Sequence, residues 1–277
     1  MDYASCGERG GDFVLEGVQH FDLTAIFDCG QAFRWDKVSP DTYSGVAFGL
    51  HRNFTQRGET LILRGVGAQE FERVWFEYLD LGRDYGALKA VFDGHSHLRE
   101  AVGFCPGIRV LRQESWEALC TFILSQNNNI ARIRGLVQRL CEHFGQPVPG
   151  GFAFPTAERL AALSPADLAP VRCGFRAKYI IAAARAVAQG QIDLAALRTA
   201  PIEQAMGTLQ TIHGVGPKVA HCALLYGLGR VESLPVDVWM RRAMAAWFPA
   251  GLPDELLPVA GIAQQYLFHY ARTGGGL

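Results

Sequence analysis

The chain has 277 residues, 49% of them hydrophobic and 19% charged, with a formal net charge of −1. This is ordinary globular composition, enough for one large domain or two modest ones. No apolar run approaches the ~18 residues of a membrane span, and the opening MDYASCGERGGDF lacks the basic and apolar regions of a secretory signal, so an intracellular, soluble protein with no membrane partner is expected.

From the N-terminus, residues 10–65 read as strands. GDFVLEGV, QAFRWDKV, TYSGVAFGL and ETLILRG are short, rich in Phe, Val, Tyr and Ile, and divided by Gly, Pro, Asp and Asn. From residue 69 the period changes: AQEFERVWFEYLDLG has apolar residues at helical spacing and ends in Gly. Helices are then predicted over 114–124, 129–144, 156–163, 176–189, 202–212, 217–228, 237–247 and 259–272. The tail TGGGL is expected to fray. The fold class implied is α+β: an N-terminal antiparallel sheet domain with a flanking helix over 1–95, then a mostly helical domain over 96–277.

Charge follows the same division. Residues 1–94 carry 9 Lys and Arg against 15 Asp and Glu, and residues 95–277 carry 17 against 12. The later part has a basic excess that suits a polyanion, although uneven charge in a neutral protein explains it equally well. The seven cysteines, at 6, 29, 105, 120, 141, 173 and 222, are odd in number and form no CxxC. That pattern points to reduced thiols and argues against a disulfide framework, a zinc ribbon or an iron–sulfur cluster.

The most informative stretch is TIHGVGPKVAHCALL, 211–225. Two helical patterns meet at a Gly-containing turn, a compact hairpin whose glycines allow close backbone approach. The second helix starts near Pro217, and its free N–H groups give it a phosphate-binding end. Lys218 therefore lies near a helix N-terminus, where a cation is disfavoured, and next to apolar Val219 and Ala220. Both effects ease loss of its proton and make it a candidate nucleophile. A surface lysine with a snorkelling stem fits the same residues. Asp237, in LPVDVWMRRAM, is placed to cap the helix that follows. A carboxylate fixed there can also stabilise a developing sugar cation.

Together, LQTIHGVGPKVA and LPVDV resemble the helix-hairpin-helix DNA glycosylases, with their hairpin, lysine and later aspartate. CGQAFRW at 29–35, ILSQNNNIARIRGLVQRLCEHFG at 123–145 and CGFRAKYI at 173–180 narrow the resemblance to the 8-oxoguanine DNA glycosylases, over about residues 12–272. The resemblance implies that Lys218 attacks C1′ of the damaged nucleotide and forms a Schiff base, that Asp237 assists electrostatically, and that strand cleavage follows by β-elimination. It implies a pocket for the flipped base made by the Gly30 carbonyl, Cys222, Gln264 (with Gln265 as its rival) and Phe268. It assigns Asn127, Arg132 and Arg176 to the orphaned cytosine and Phe175 to the wedge, where relatives carry tyrosine. His213, Gly214, Val215 and Gly216 would meet DNA phosphate. The carbonyls of Gln210, Ile212 and Val215 would hold a monovalent or divalent cation, with no cofactor needed for the chemistry.

Two positions depart from the animal-type pattern. His221 stands where those enzymes have an acidic residue, and Trp239 where they have a phosphate-contacting histidine. The expected partner is double-stranded DNA with 8-oxoguanine opposite cytosine, bound by a monomer. Two other readings are a glycosylase for another damaged base and a helix-hairpin-helix DNA-binding module without catalysis. CGQAFRW and NNNIARI argue against the first; the joint presence of Lys218 and Asp237 argues against the second.

Overall fold

A computed structural model describes residues 1–274; Gly275 to Leu277 of the glycine tail lie outside the described residues. The N-terminal part is a six-stranded sheet of β1 (Ser5–Arg9), β2 (Asp12–Glu16), β3 (Trp35–Ser39), β4 (Thr42–Ala47), β5 (Leu50–Arg57) and β6 (Thr60–Arg64), in the order β1-β2-β6-β5-β4-β3. The pairs β1/β2, β2/β6, β5/β6 and β3/β4 are antiparallel, and Phe13 faces Leu63, which faces Phe54. β1 escaped the sequence reading because SCGER has no apolar alternation: it is an edge strand and almost wholly exposed. Gly10 and Gly11, both at positive φ, close its two-residue hairpin with β2.

Between β2 and β3 runs α1 (Leu23–Asp28), capped by Asp22 through the Ala25 N–H at 2.7 Å. After the sheet come α2 (Ala68–Glu70, continued through a π-turn Phe71–Trp75 to Phe76–Tyr78), α3 (Tyr85–Phe92) and α4 (Ser96–Phe104). The helical pattern predicted from residue 69 is thus present. An aromatic core joins α1, α2 and the sheet: Phe27 stacks on Trp35 at 4.5 Å, Trp35 lies 4.6 Å from Phe54, and Trp75 meets Phe54 edge-on at 5.0 Å. The buried Trp35 indole donates to Tyr78 Oη at 2.6 Å, which satisfies its one polar atom.

The helices that follow are α5 (Ser115–Leu124), α6 (Ile130–Phe144), α7 (Ala157–Ala161), α8 (Arg176–Ala188), α9 (Ile202–Gln210), α10 (Pro217–Cys222, running on as a π-turn Ala223–Gly227), α11 (Val238–Trp247) and α12 (Ala260–Thr273). Each lies within a range predicted from the sequence, except that α12 runs one residue further, to Thr273. Their starts are set by side-chain caps where the residue type allows one: Asn129 for α6, Thr156 for α7 and Asp237 for α11. α6 buries Ile133, Leu136, Val137, Leu140 and Cys141, a stripe at helical spacing. α5 is buried along its length from Trp116 to Leu124.

The chain divides into two compact units that are not sequential. One comprises Met1–Gly45, Arg52–Arg112 and everything from Val236; the other comprises Val46–His51 and Gln113–Pro235. The boundary expected at 95/96 runs inside the first unit, because α12 packs against α4 there. Tyr266 buries its ring edge-on to Phe92 at 6.0 Å and donates its hydroxyl to Ile108 O at 2.7 Å. Helical periodicity cannot tell which partner a helix will choose, so the sequence left α11 and α12 with the other helices.

Candidate active site

The second unit carries the hairpin. α9 ends at Gln210, Val215 N–H donates to Ile212 O at 3.0 Å, and α10 starts with Gly216 as N-cap and Pro217 at its first position. Gly214 has φ of 89°. A Cβ on it would lie 2.2 Å from Tyr179 Cγ, so both the backbone and the approach of the ring require glycine. Tyr179 also meets the exposed His213 ring edge-on at 5.0 Å, while Val215 is buried beneath the turn. Gly214→Ala is therefore expected to cost about 2 kcal/mol or more, the sum of left-handed strain and a clash. Thermal melting checks this: an unchanged midpoint would contradict the close approach.

Lys218 is half-buried. Its Nζ donates to Ser125 Oγ at 3.0 Å and lies 5.2 Å from the centroid of the Phe122 ring. The amine thus ends on a neutral hydroxyl beside a ring, whereas the snorkelling surface lysine that the sequence also allowed would end in open water. Cys222 follows one turn later on the same face and is buried. His221 is also partly buried, with no hydrogen-bond partner for its Nδ1, and burial pushes its imidazole below the ordinary histidine value. At neutral pH this ring is therefore uncharged.

The loop from Ser125 to Asn129 supports a second cluster. Asn129 spends its side chain on the Arg132 N–H at 2.9 Å, so it is the cap of α6. Asn127 is exposed at φ 50°, a left-handed position that asparagine tolerates. Arg176 is 4% exposed and anchored on backbone: Nε to Gln126 O at 2.8 Å, Nη1 to Cys173 O at 3.3 Å, and Nη2 to the Gln126 and Asn127 carbonyls. Burial and the neighbouring positive charge of Arg132 lower it from the usual guanidinium value. Arg132 itself is exposed. Phe175 is 50% exposed, with the Arg176 guanidinium 4.3 Å from its ring centroid and Tyr179 edge-on at 5.7 Å. An exposed Phe braced by two neighbours is a stiff apolar projection. Gln126 ties the loop to the hairpin, since its Nε2 donates to Gly214 O at 3.1 Å.

The first unit carries the remaining residues. Asp237 caps α11, with Oδ1 accepting from Met240 N–H at 2.9 Å. Gly30 has φ of 88° and follows the buried Cys29, whose thiol burial pushes up to about 12. QAFRWDKV is extended only from Trp35, because the buried Gln31 turns inward: Nε2 donates to Ile26 O at 2.9 Å and to Arg109 O at 2.7 Å, and Oε1 accepts from Leu111 N–H at 2.8 Å. The Gly30 loop is clamped a second time by Gln265, whose Nε2 donates to Cys29 O at 3.2 Å. That contact separates the two glutamines: Gln265 holds the loop, and Gln264 is its buried neighbour on α12. Phe268, one turn on from Gln264, is half-buried.

Three residues near these positions were missed by the sequence reading. Ser125 meets Lys218 across a long separation in sequence, and Gln31 was read as part of a strand. Arg272 stacks over Phe268 at 5.4 Å and donates to Asp28 O at 3.3 Å. Its guanidinium, lowered by burial, also lies within electrostatic reach of Asp237. Helical spacing from Phe268 was the only signal that could have found it.

Among the described residues no group of three or more His, Cys, Asp or Glu could hold a metal ion, and no helix is long and apolar enough to cross a membrane.

Two family models cover most of the chain. One, for the N-terminal domain of 8-oxoguanine DNA glycosylase, matches residues 14–119; the other, for HhH-GPD superfamily base excision DNA repair proteins, matches residues 120–255. Fold and hairpin site thus define a protein of the helix-hairpin-helix base excision repair class. The MBOgg1 structure in complex with a low affinity DNA ligand is 40% identical and covers 98% of this chain and 99% of that one, with a TM-score of 0.92. The 8-oxoguanine glycosylase/lyase of Clostridium acetobutylicum, in complex with double-stranded DNA containing cytosine opposite 8-oxoguanine, is 33% identical over 98% of this chain and 99% of that one, with a TM-score of 0.91. The N-glycosylase/DNA lyase OGG1 of Arabidopsis thaliana is 32% identical over 80% of this chain, and the matched stretch spans 66% of that protein. This chain belongs to the 8-oxoguanine DNA glycosylase family.

Proposed function

We propose that the protein excises 8-oxoguanine from duplex DNA and cuts the strand at the resulting site, with Lys218 as nucleophile. The observation that carries this reading is the placement of the Lys218 amine, half-buried behind a glycine hairpin and hydrogen-bonded to a neutral hydroxyl. In the neutral form the amine attacks C1′; the C1′–N9 bond breaks, and its electron pair leaves with the base, which takes up a proton. Loss of the amine proton and opening of the sugar ring give an iminium at C1′. Removal of a C2′ proton then expels the 3′ phosphate, the β-elimination step. Asp237, fixed by its cap bond, stabilises positive charge as it develops on the sugar. The reading is supported by the Clostridium relative, bound to DNA with cytosine opposite 8-oxoguanine.

In this scheme the base leaves the stack and enters a pocket formed by Gly30, Cys222, Gln264 and Phe268. The Gly30 carbonyl accepts the N7–H that 8-oxoguanine has and guanine lacks, worth about 1–3 kcal/mol against a buried unpaired acceptor. Phe175 fills the gap in the duplex, and Asn127, Arg132 and Arg176 supply donors for the O2 and N3 acceptors of cytosine. The hairpin, His213 to Gly216, meets phosphate through backbone N–H groups. A cation on the Gln210, Ile212 and Val215 carbonyls would add a phosphate contact, and no chemical step needs it. The protein acts as a monomer, at DNA within the cell.

Borohydride trapping tests the scheme. Covalent complex is expected on 8-oxoguanine:cytosine duplex and much less on 8-oxoguanine:adenine. Arg132→Ala with Arg176→Ala should erase that preference. Equal trapping by the wild type opposite both bases would refute the cytosine assignment, and trapping only on alkylated bases would move the protein to another substrate class.

A further inference from the structure

The contact between Lys218 and Ser125 has a fixed polarity. Ser125 Oγ lies 2.7 Å from Phe122 O and 3.0 Å from Lys218 Nζ. A carbonyl oxygen only accepts, so the single hydroxyl hydrogen of Ser125 goes to Phe122. Toward Lys218 the hydroxyl therefore has only lone pairs to offer, whether the amine is charged or neutral. A neutral amine held this way spends an N–H on the contact and keeps its own lone pair unmasked. The opposite polarity, O–H to N, would cover the lone pair that has to attack carbon.

We infer that Ser125 is the positioning residue for the nucleophile: an acceptor-only hydroxyl that holds the Lys218 amine with its lone pair available. The inference rests on the reading of Lys218 as the attacking group. Its geometry is well defined. Ser125 is 9% exposed at the C-terminal end of α5, which is buried along its length, so the oxygen is held by a rigid element. The Phe122 ring, one turn earlier, closes on the amine at 5.2 Å. Lysine has a long flexible stem, and an acceptor at its tip removes rotamers that would place the amine elsewhere. Such ordering before reaction lowers the entropic part of the barrier.

Single-turnover trapping on a duplex with an abasic site opposite cytosine isolates this step. The amine adds to the C1′ aldehyde, the adduct loses water to the iminium, and borohydride reduces it to a secondary amine. Ser125→Ala is expected to slow trapping at saturating enzyme by about 10- to 100-fold, with the dissociation constant for the duplex unchanged. Ser125→Thr, which keeps the hydroxyl, should restore most of the rate. If Ser125→Ala does not fold, Ser125→Cys, close in size but a weak acceptor, gives the same reading. Wild-type trapping with an undiminished rate in Ser125→Ala overturns the inference. So does a slow Ser125→Thr accompanied by weakened duplex binding, which marks a packing role. No trapping by the wild type would instead overturn the reading of Lys218 itself.

Discussion

Lys218→Gln is expected to abolish covalent trapping and to lower base release by about 10⁴-fold or more, the scale on which an enzyme loses activity when a nucleophile is removed. Glutamine is one bond shorter but polar and uncharged, and Lys218 is only half-buried, so the fold and the hairpin should stand. The same duplex affinity and melting temperature are expected. The discriminating result is release without trapping: a variant that still frees 8-oxoguanine at an undiminished rate would mean that water, not the amine, attacks C1′. Release reduced together with trapping locates both steps on one nitrogen.

Asp237→Asn is the second large effect, and it separates two roles on one side chain. The carboxylate caps α11 through Met240 N–H at 2.9 Å. Asparagine caps helices about as well as aspartate, so the cost in stability should be small. What asparagine lacks is the charge. Loss of a preorganised electrostatic stabiliser costs about 10²–10³-fold in rate. Base release should fall by that much while the melting temperature barely moves. A variant with wild-type release would make Asp237 a cap and nothing more. Arg272, within electrostatic reach of Asp237, would then be left facing a neutral amide.

The contrast between what could be read and what could not follows the range of the interactions. Asn129, Thr156 and Asp237 announce helix starts because a cap is a local hydrogen bond between near neighbours. The glycine requirement at 214 was legible as a turn, but the Tyr179 ring that makes it absolute was not. β1 lacks a buried face, so nothing in SCGER marks it as a strand until β2 pairs with it. Gln31 was hidden for the opposite reason: its neighbours favour extension, and tertiary bonds to Ile26, Arg109 and Leu111 override them. Ser125 could not be singled out, because the only mark of its partnership with Lys218 is distance in space.

The discontinuous first unit has a consequence for how the molecule is made. Between Arg112 and Val236 the chain leaves to build the whole of the second unit apart from Val46–His51. The bonds that lock the first unit, Tyr266 to Ile108 and Gln265 to Cys29, span that excursion. Long loops of this kind are closed late, after their entropic cost is met. During synthesis the intervening unit can complete its local helices while the sheet still lacks α12. The second clamp on the Gly30 loop, from Gln265, is therefore among the last contacts to form, and a ribosome that stalls before α12 leaves a sheet with its aromatic core formed and its Gly30 loop held by Gln31 without Gln265.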